Sequence, residues 1–325
     1  MKVDFPFRIF EPYLSDEKVT DLNYNGTDLW IDHLEKGRFI SKDKISEEKV
    51  FQACIRFSNL VNEHFNLQSP ILEADFEDIR VSILHPSISG KLSVSLRKTP
   101  ATMRLNRKKL LDENYISESA LNLLVACVKH NYNIMVSGLP GAGKTELIKY
   151  LTSFINPTNR VISIEDSREL HYDKLHPERD SVSLKVSEDF TYDMAIKASM
   201  RQRPNWLLVS EVRGEEVEDL LKSISTGTHL LSTIHAKKAA DIPKRMLYMM
   251  GNIDKSSETF LKQLYDAIDL GVHVEHVVSD QGVYRYVREI VIFGEDDALV
   301  LYHHKRKRQI DDKVFEILGV SECSH

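Results

Sequence analysis

One stretch constrains this chain more than any other: "NIMVSGLPGAGKTELIKYL", residues 133–151. An apolar run is followed by Gly138-x4-Gly143-Lys144-Thr145 and then by a pattern with helical spacing. The order strand, glycine-rich turn, helix is what a phosphate-cradling loop needs. Glycines let successive backbone N–H groups converge on phosphate oxygens, and the helix N-terminus adds partial positive charge. The loop Gly138, Pro140, Gly141, Ala142, Gly143 and the first helical residues Lys144, Thr145 and Glu146 are therefore the expected nucleotide contacts. Lys144 would reach the β/γ-phosphates, and the Thr145 hydroxyl would meet Mg2+. The expected ligands are ATP and Mg2+.

Such a loop requires an acid at the end of a neighbouring strand. "LLVSE" supplies Glu211, 67 residues after Lys144, at the carboxyl edge where open α/β sheets bind ligands. Glu211 is the expected second metal partner, with Thr145. The strand-like "VISI" ends in Glu165-Asp166, followed by Arg168-Glu169. Glu165 is a candidate for activating the attacking water, although such a cluster can also be a charge-paired capping loop. Arg201, Arg203 and Arg213 flank the Glu211 strand, and positioned cations of this kind catalyse phosphoryl transfer, from the same or a neighbouring subunit. One or two of them can instead pair with Glu215, Glu216 or Glu218.

Further on, "STGTHLLSTIHA" carries His229 and His235. In an extended strand six residues span roughly 20 Å, so the two cannot share an ion. As the next strand of the same sheet, this stretch delivers His235 to the nucleotide, with Thr233 on the same face.

Composition bounds the rest. With 325 residues the chain can hold two domains with real cores. Short alternating runs with an Asn25-Gly26 turn, a helix over about 46–65 capped by Ser46, and two strands around Gly90 predict a small α+β domain over 1–100. Residues 101–116, polar and basic, are expected to be a linker. From 117 to 295, apolar runs of four to six residues alternate with helical patterns, which predicts a mostly parallel sheet covered by helices. Residues 296–325 are expected as a tail without assigned role. Three widely separated cysteines, Cys54, Cys127 and Cys323, suit a reducing compartment. The acid- and proline-containing N-terminus lacks a secretory apolar region, and no run approaches a membrane span. A cytoplasmic location is expected. The net charge of −6 argues against direct nucleic-acid binding, and the basic run from His303 to Arg308 reads as a solvated face.

In this order, the loop, "SIEDSREL", "RQRPNWLLVSEVRGEE" and "STGTHLLSTIHA" resemble the secretion and pilus ATPase superfamily, the motors of type II and type IV secretion and of pili. "VTDLNYNGTDLWID" and "LSVSLRK" resemble its N-terminal domain. The resemblance implies an α/β chain with a RecA-like P-loop C-terminal domain and a smaller α+β N-terminal domain. It further implies a six-membered ring at the cytoplasmic face of a membrane secretion or pilus complex, with the conjugation and tight-adherence branch favoured by the absence of a cysteine-bounded metal domain. Residue by residue it implies that Lys144 and Thr145 bind nucleotide and Mg2+, Glu165 activates water, Glu211 is the Walker B acid and His235 senses the γ-phosphate. Arg201 and Arg203 match arginines ahead of Walker B, and Arg80 and Arg97 match N-terminal-domain arginines that reach the nucleotide. Two positions depart from the pattern: Ser210 stands where glycine is common, and Thr228 where the first histidine is expected. The competing readings are a nucleic-acid-dependent ATPase of RecA-like fold and a nucleotide-gated scaffold with little turnover.

Overall fold

The computed structural model describes residues 5–250, 258–279, 282–294, 297–306, 310, 314, 318 and 319. The chain forms two compact units, one of residues 1–100 with 277–284, the other of 101–276 with 285–325.

The first unit is built on six antiparallel strands, β1 (Val19–Tyr24), β2 (Leu29–His33), β3 (Gly37–Ile40), β4 (Ile71–Phe76), β5 (Ile79–Leu84) and β6 (Ser93–Lys98), in the order β3-β2-β1-β6-β5-β4. Alternation sorts their side chains. Ala74, Val81, Leu96, Leu22 and Ile31 fall in one register row. This face shares a core with Val50, Ala53, Cys54 and Phe57 of the helix Glu47–Val61. Each fully buried side chain of this size contributes about 1.5–3 kcal/mol. The next row, on the opposite face, is charged throughout: Asp75, Arg80, Arg97, Asp21, Asp32, Arg38. The helix ends at Val61, short of the expected Phe65, because Asn62 turns left-handed at φ 57° and its N–H closes the last turn. At the β1–β2 turn, Gly26 takes φ 88°, and a Cβ there would meet Lys91 Cβ at 2.6 Å.

The second unit is built on an eight-stranded sheet of β7 (Ile134–Ser137), β8 (Val161–Glu165), β9 (Ser181–Lys185), β10 (Trp206–Val212), β11 (His229–Ile234), β12 (Leu270–Ser279), β13 (Gly282–Phe293) and β14 (Ala298–His303), of which the tip of β12 and β13 at 277–284 is grouped with the first unit. The order is β14-β13-β12-β7-β11-β10-β8-β9. Strands β12, β7, β11, β10, β8 and β9 run parallel, and β13 and β14 pair antiparallel. Apolar side chains cover both faces: Leu121, Leu124, Leu147 and Leu151 pack with Val136 and Leu208 on one, and Met135, Leu207 and Val209 with Leu220 and Ile242 on the other. Burial on both faces is why these strands read as continuous apolar runs. Helix Glu118–Lys129 starts where the Ser117 hydroxyl accepts the Ala120 N–H at 3.3 Å.

Two expected boundaries are corrected. Residues 101–116 are not a free linker: they carry the helix Arg107–Asp112 and bury Leu105, Leu110, Tyr115 and Ile116 in the core of the second unit. Apolar residues spaced too irregularly for a strand period still find cover beside the helix Lys144–Thr152, where the Ser153 hydroxyl contacts Met103 Sδ at 3.6 Å. Within 296–325, expected as a tail without assigned role, residues 298–303 form β14, which adds an edge strand and buries Leu301 and Tyr302. The rest of that segment lies largely outside the described residues, as do Cys323 and the end of the basic run.

Candidate nucleotide site

Strand β7 is buried at all four residues and ends at a loop whose glycines are geometrically required. Gly138, Gly141 and Gly143 take φ of 154°, 76° and 93°. A Cβ on Gly138 would lie 2.4 Å from the Val274 carbonyl oxygen, closer than any side chain can come. Lys144 opens the following helix and folds back over the loop. Its buried ammonium donates to the Gly138 carbonyl at 3.0 Å and to the Leu139 carbonyl at 3.4 Å. Burial lowers the lysine pKa from its ordinary value, against the pull of Glu211 and Glu169.

The carboxyl ends of the next strands bring acids to the same place. On β10, Glu211 is nearly buried, and a register shift between Val209 and Val212 interrupts pairing with β11 at that residue. One Glu211 oxygen accepts from His235 Nε2 at 2.8 Å, and the other from Arg213 at 2.7 and 2.8 Å. His235 Nδ1 lies 3.0 Å from the Gly138 carbonyl and 3.4 Å from the Lys144 ammonium. The His235 ring thus bridges the phosphate loop to the acid at the end of β10.

Glu165 closes β8, 2% exposed, and accepts the Glu169 and Leu170 N–H groups at 2.8 and 2.7 Å. Burial outweighs these bonds and pushes its pKa up to about 7. The turn these bonds enforce carries Glu169 back to the loop, where the Thr145 hydroxyl donates to it at 3.3 Å. A hydroxyl and carboxylates are the hard oxygen donors that suit Mg2+, so Thr145, Glu211 and Glu169 fit the expected ion.

Other expected residues stand elsewhere. Arg201 ends the helix Tyr192–Met200 and Arg203 follows at φ 52°, both exposed and both before β10 begins. Glu211 is at the opposite end of that strand, about 20 Å away. Arg213 reaches Glu211 and also bonds Asp166 at 2.6 Å, and so ties the two acidic clusters together. Arg80 and Arg97 belong to the first unit, opposite each other on β5 and β6, with Arg97 donating to Asp21 at 2.7 Å. The Thr233 hydroxyl donates to the Ser210 carbonyl at 2.7 Å and staples β11 to β10. His229 packs on Trp206 at the amino end of the sheet, ring centroids 5.4 Å apart. The sequence names Arg213 only as one of three candidate cations and Glu169 only as a member of the acidic cluster, without the contacts they make to Glu211 and Thr145. Their motifs were visible, but only the turn after β8 and the end of β10 select them from their charged neighbours.

The family model described as "Type II/IV secretion system protein" matches residues 50–309. The chain belongs to the type II/IV secretion system protein family. Among its relatives is the conjugal transfer protein TrbB of Rhizobium radiobacter, 28% identical over 215 residues that make up 64% of this chain and 62% of that one. Solved structures of similar fold include the Legionella pneumophila ATPase DotB, TM-score 0.66 at 16% identity over 90% of this chain and 81% of that one. The pilus retraction motor PilT with bound ADP gives 0.63 at 18% identity over 98% of this chain and 89% of that one. At these identities the likeness carries the fold: an N-terminal domain followed by a RecA-like domain. Among the described residues, no helix of this family member is long and apolar enough to cross a membrane.

Proposed function

We propose that the protein is a Mg2+-dependent ATP-hydrolysing motor that works as a hexameric ring at the cytoplasmic face of a conjugation, secretion or pilus apparatus. The observation that carries this reading is the meeting of Lys144, Thr145, Glu169, Glu211 and His235 around one glycine loop, with Glu165 and Glu211 at the carboxyl ends of the adjacent parallel strands β8 and β10. In this reading the loop N–H groups and Lys144 hold the phosphates, and the ammonium exchanges its bonds to the Gly138 and Leu139 carbonyls for phosphate oxygens. Bound Mg2+, held by Thr145 with Glu211 or Glu169, supplies neutralisation of the β- and γ-phosphate charge. Glu165 takes the proton of the attacking water; a carboxyl with a pKa near 7 accepts a proton better than an ordinary glutamate. His235 links Glu211 to the loop carbonyl, so a change at the γ-phosphate alters the end of β11.

Arg201 and Arg203 are placed in this scheme as charges offered to a neighbouring subunit of the ring, and Arg80 and Arg97 as further nucleotide contacts, the latter on the family resemblance. The test is ATP hydrolysis by the full chain with Mg2+ and with EDTA, alongside Lys144→Ala, and light scattering with and without nucleotide. Hydrolysis no greater than that of Lys144→Ala, or a monomer under every condition, would overturn the motor reading.

A further inference from the structure

The ladder between β8 and β10 stops short of the acids that the two strands carry. Its last pair is Ile164 with Val209, so Glu165 and Glu211 both lie beyond it. From there on, side chains set the spacing of the two strand ends. Tyr192 opens the helix Tyr192–Met200, and its half-buried ring packs on the core that holds Ile164 and Val209. Its hydroxyl lies 2.9 Å from the Ser210 hydroxyl, accepts the Asp166 N–H at 3.2 Å and reaches Asp166 Oδ1 at 3.4 Å. A phenol has one proton and two lone pairs. With the Ser210 hydroxyl and the Asp166 N–H donating to it and its own proton directed to Asp166 Oδ1, all three are used. Burial pushes the Tyr192 pKa up to about 12, so the phenol keeps that proton.

The two residues that the phenol bridges are the immediate neighbours of the acids: Ser210 precedes Glu211, and Asp166 follows Glu165. Each is also held from elsewhere, Ser210 by the Thr233 hydroxyl at its carbonyl and Asp166 by Arg213. The Arg213 tie is the more solvated one, since its side chain is 53% exposed and water screens it. Ser210 stands where glycine is common in the resembled family, and a glycine has no atom to offer Tyr192. We infer that Tyr192 and Ser210 are positioning residues for hydrolysis, their paired hydroxyls setting the spacing between the acidic loop of Glu165 and Glu169 and the end of β10 that presents Glu211. This deepens the ATPase reading and rests on it. Among the described residues neither hydroxyl bonds the phosphate loop, so the effect falls on turnover and not on nucleotide binding. Chemistry of this kind is sensitive to displacements of an ångström between the reacting groups.

The test is a double-mutant cycle on the full chain with Tyr192→Phe, Ser210→Ala and the two together, each removing only a hydroxyl. Three quantities are read: the single-turnover rate of ATP hydrolysis with Mg2+, Mg-ADP affinity by calorimetry, and stability to urea. The expected result is a rate loss of roughly tenfold in Tyr192→Phe and roughly fivefold in Ser210→Ala, with ADP affinity held within about twofold in both. The double variant should be no slower than about the Tyr192→Phe level, because two groups that act through one bond do not lose it twice. Rates in both single variants within about twofold of wild type overturn the assignment, even if stability to urea falls, since a pair that only supports the fold would behave in that way. Losses that multiply in the double variant overturn it too, because the hydroxyls would then act apart. Equal loss of rate and of ADP affinity means damage to the whole site and likewise overturns it. Wild-type protein that does not hydrolyse ATP overturns the ATPase reading and the assignment with it, whereas active wild type with unaffected variants overturns the assignment alone.

Discussion

Replacing Glu165 with Gln separates what burial does to this carboxyl from what the fold needs of it. The side chain is 2% exposed, and its pKa is pushed up from 4.5 to about 7 by burial. The sign follows from linkage. Below pH 4.5 the carboxyl is protonated in both the folded and the unfolded chain and contributes nothing to pH dependence. Between 4.5 and 7 the unfolded chain releases the proton and the folded one keeps it, so wild type loses stability as pH rises, and above 7 the loss levels off. The displacement amounts to about 3 kcal/mol at full development and to about 2.5 kcal/mol between pH 5 and pH 8. Gln cannot ionise, and its carbonyl can accept the same Glu169 and Leu170 N–H groups. The measurement is urea unfolding of wild type and variant, without nucleotide, at both pH values. The variant should gain on wild type by about 2.5 kcal/mol on going from pH 5 to pH 8, whatever fixed cost the extra amide hydrogens impose. A difference between the two proteins that stays the same at both pH values would refute a carboxyl held protonated by burial. In turnover, wild type should rise with pH through about 7, and the variant should be slow and flat, as expected when a general base is lost.

The remaining predictions concern the loop and its partners. Lys144→Ala removes the buried cation and should weaken ATP binding by about a hundredfold or more, read by calorimetry. Glu211→Gln should retain ATP and lose turnover by on the order of a hundredfold or more, read in single-turnover hydrolysis; equal loss of binding and turnover would point to misfolding instead. Gly138→Ala drives a Cβ into the Val274 carbonyl and should cost about 2 kcal/mol or more in thermal unfolding, along with nucleotide affinity. If Arg201 and Arg203 serve a neighbour, rings mixing an Arg201→Ala, Arg203→Ala chain with an inactive Lys144→Ala chain should recover about a quarter of the sites' activity, whereas action within one chain predicts none.

Some of this protein was written locally. A loop that must cradle phosphate needs glycines at positive φ, a strand before it and a helix after it, and all three lie within 19 consecutive residues. Likewise, acids directly after apolar runs are placed at the carboxyl edge by the strands themselves, which is why Glu165 and Glu211 were legible. The alternating strands of the first unit and the Asn25-Gly26 turn were legible for the same reason. What the tertiary structure decided depends on partners far apart in the chain. Arg203 and Arg213 are ten residues apart in sequence, but a strand lies between them, and a parallel strand sends its two ends to opposite edges of the sheet. Thr233 points where a sensor would, yet register with β10 hands its hydroxyl to the Ser210 carbonyl. Residues 101–116 look like a linker until the helix after the phosphate loop offers cover to Leu105 and Leu110, and β14 has no face to bury until β13 is beside it. Local sequence sets the conformation a backbone can adopt and which side chains alternate. Which acid meets which cation, and which polar segment is drawn into a core, waits on contacts between residues far apart in the chain, such as Arg285 and the Gly141 carbonyl, 144 positions apart.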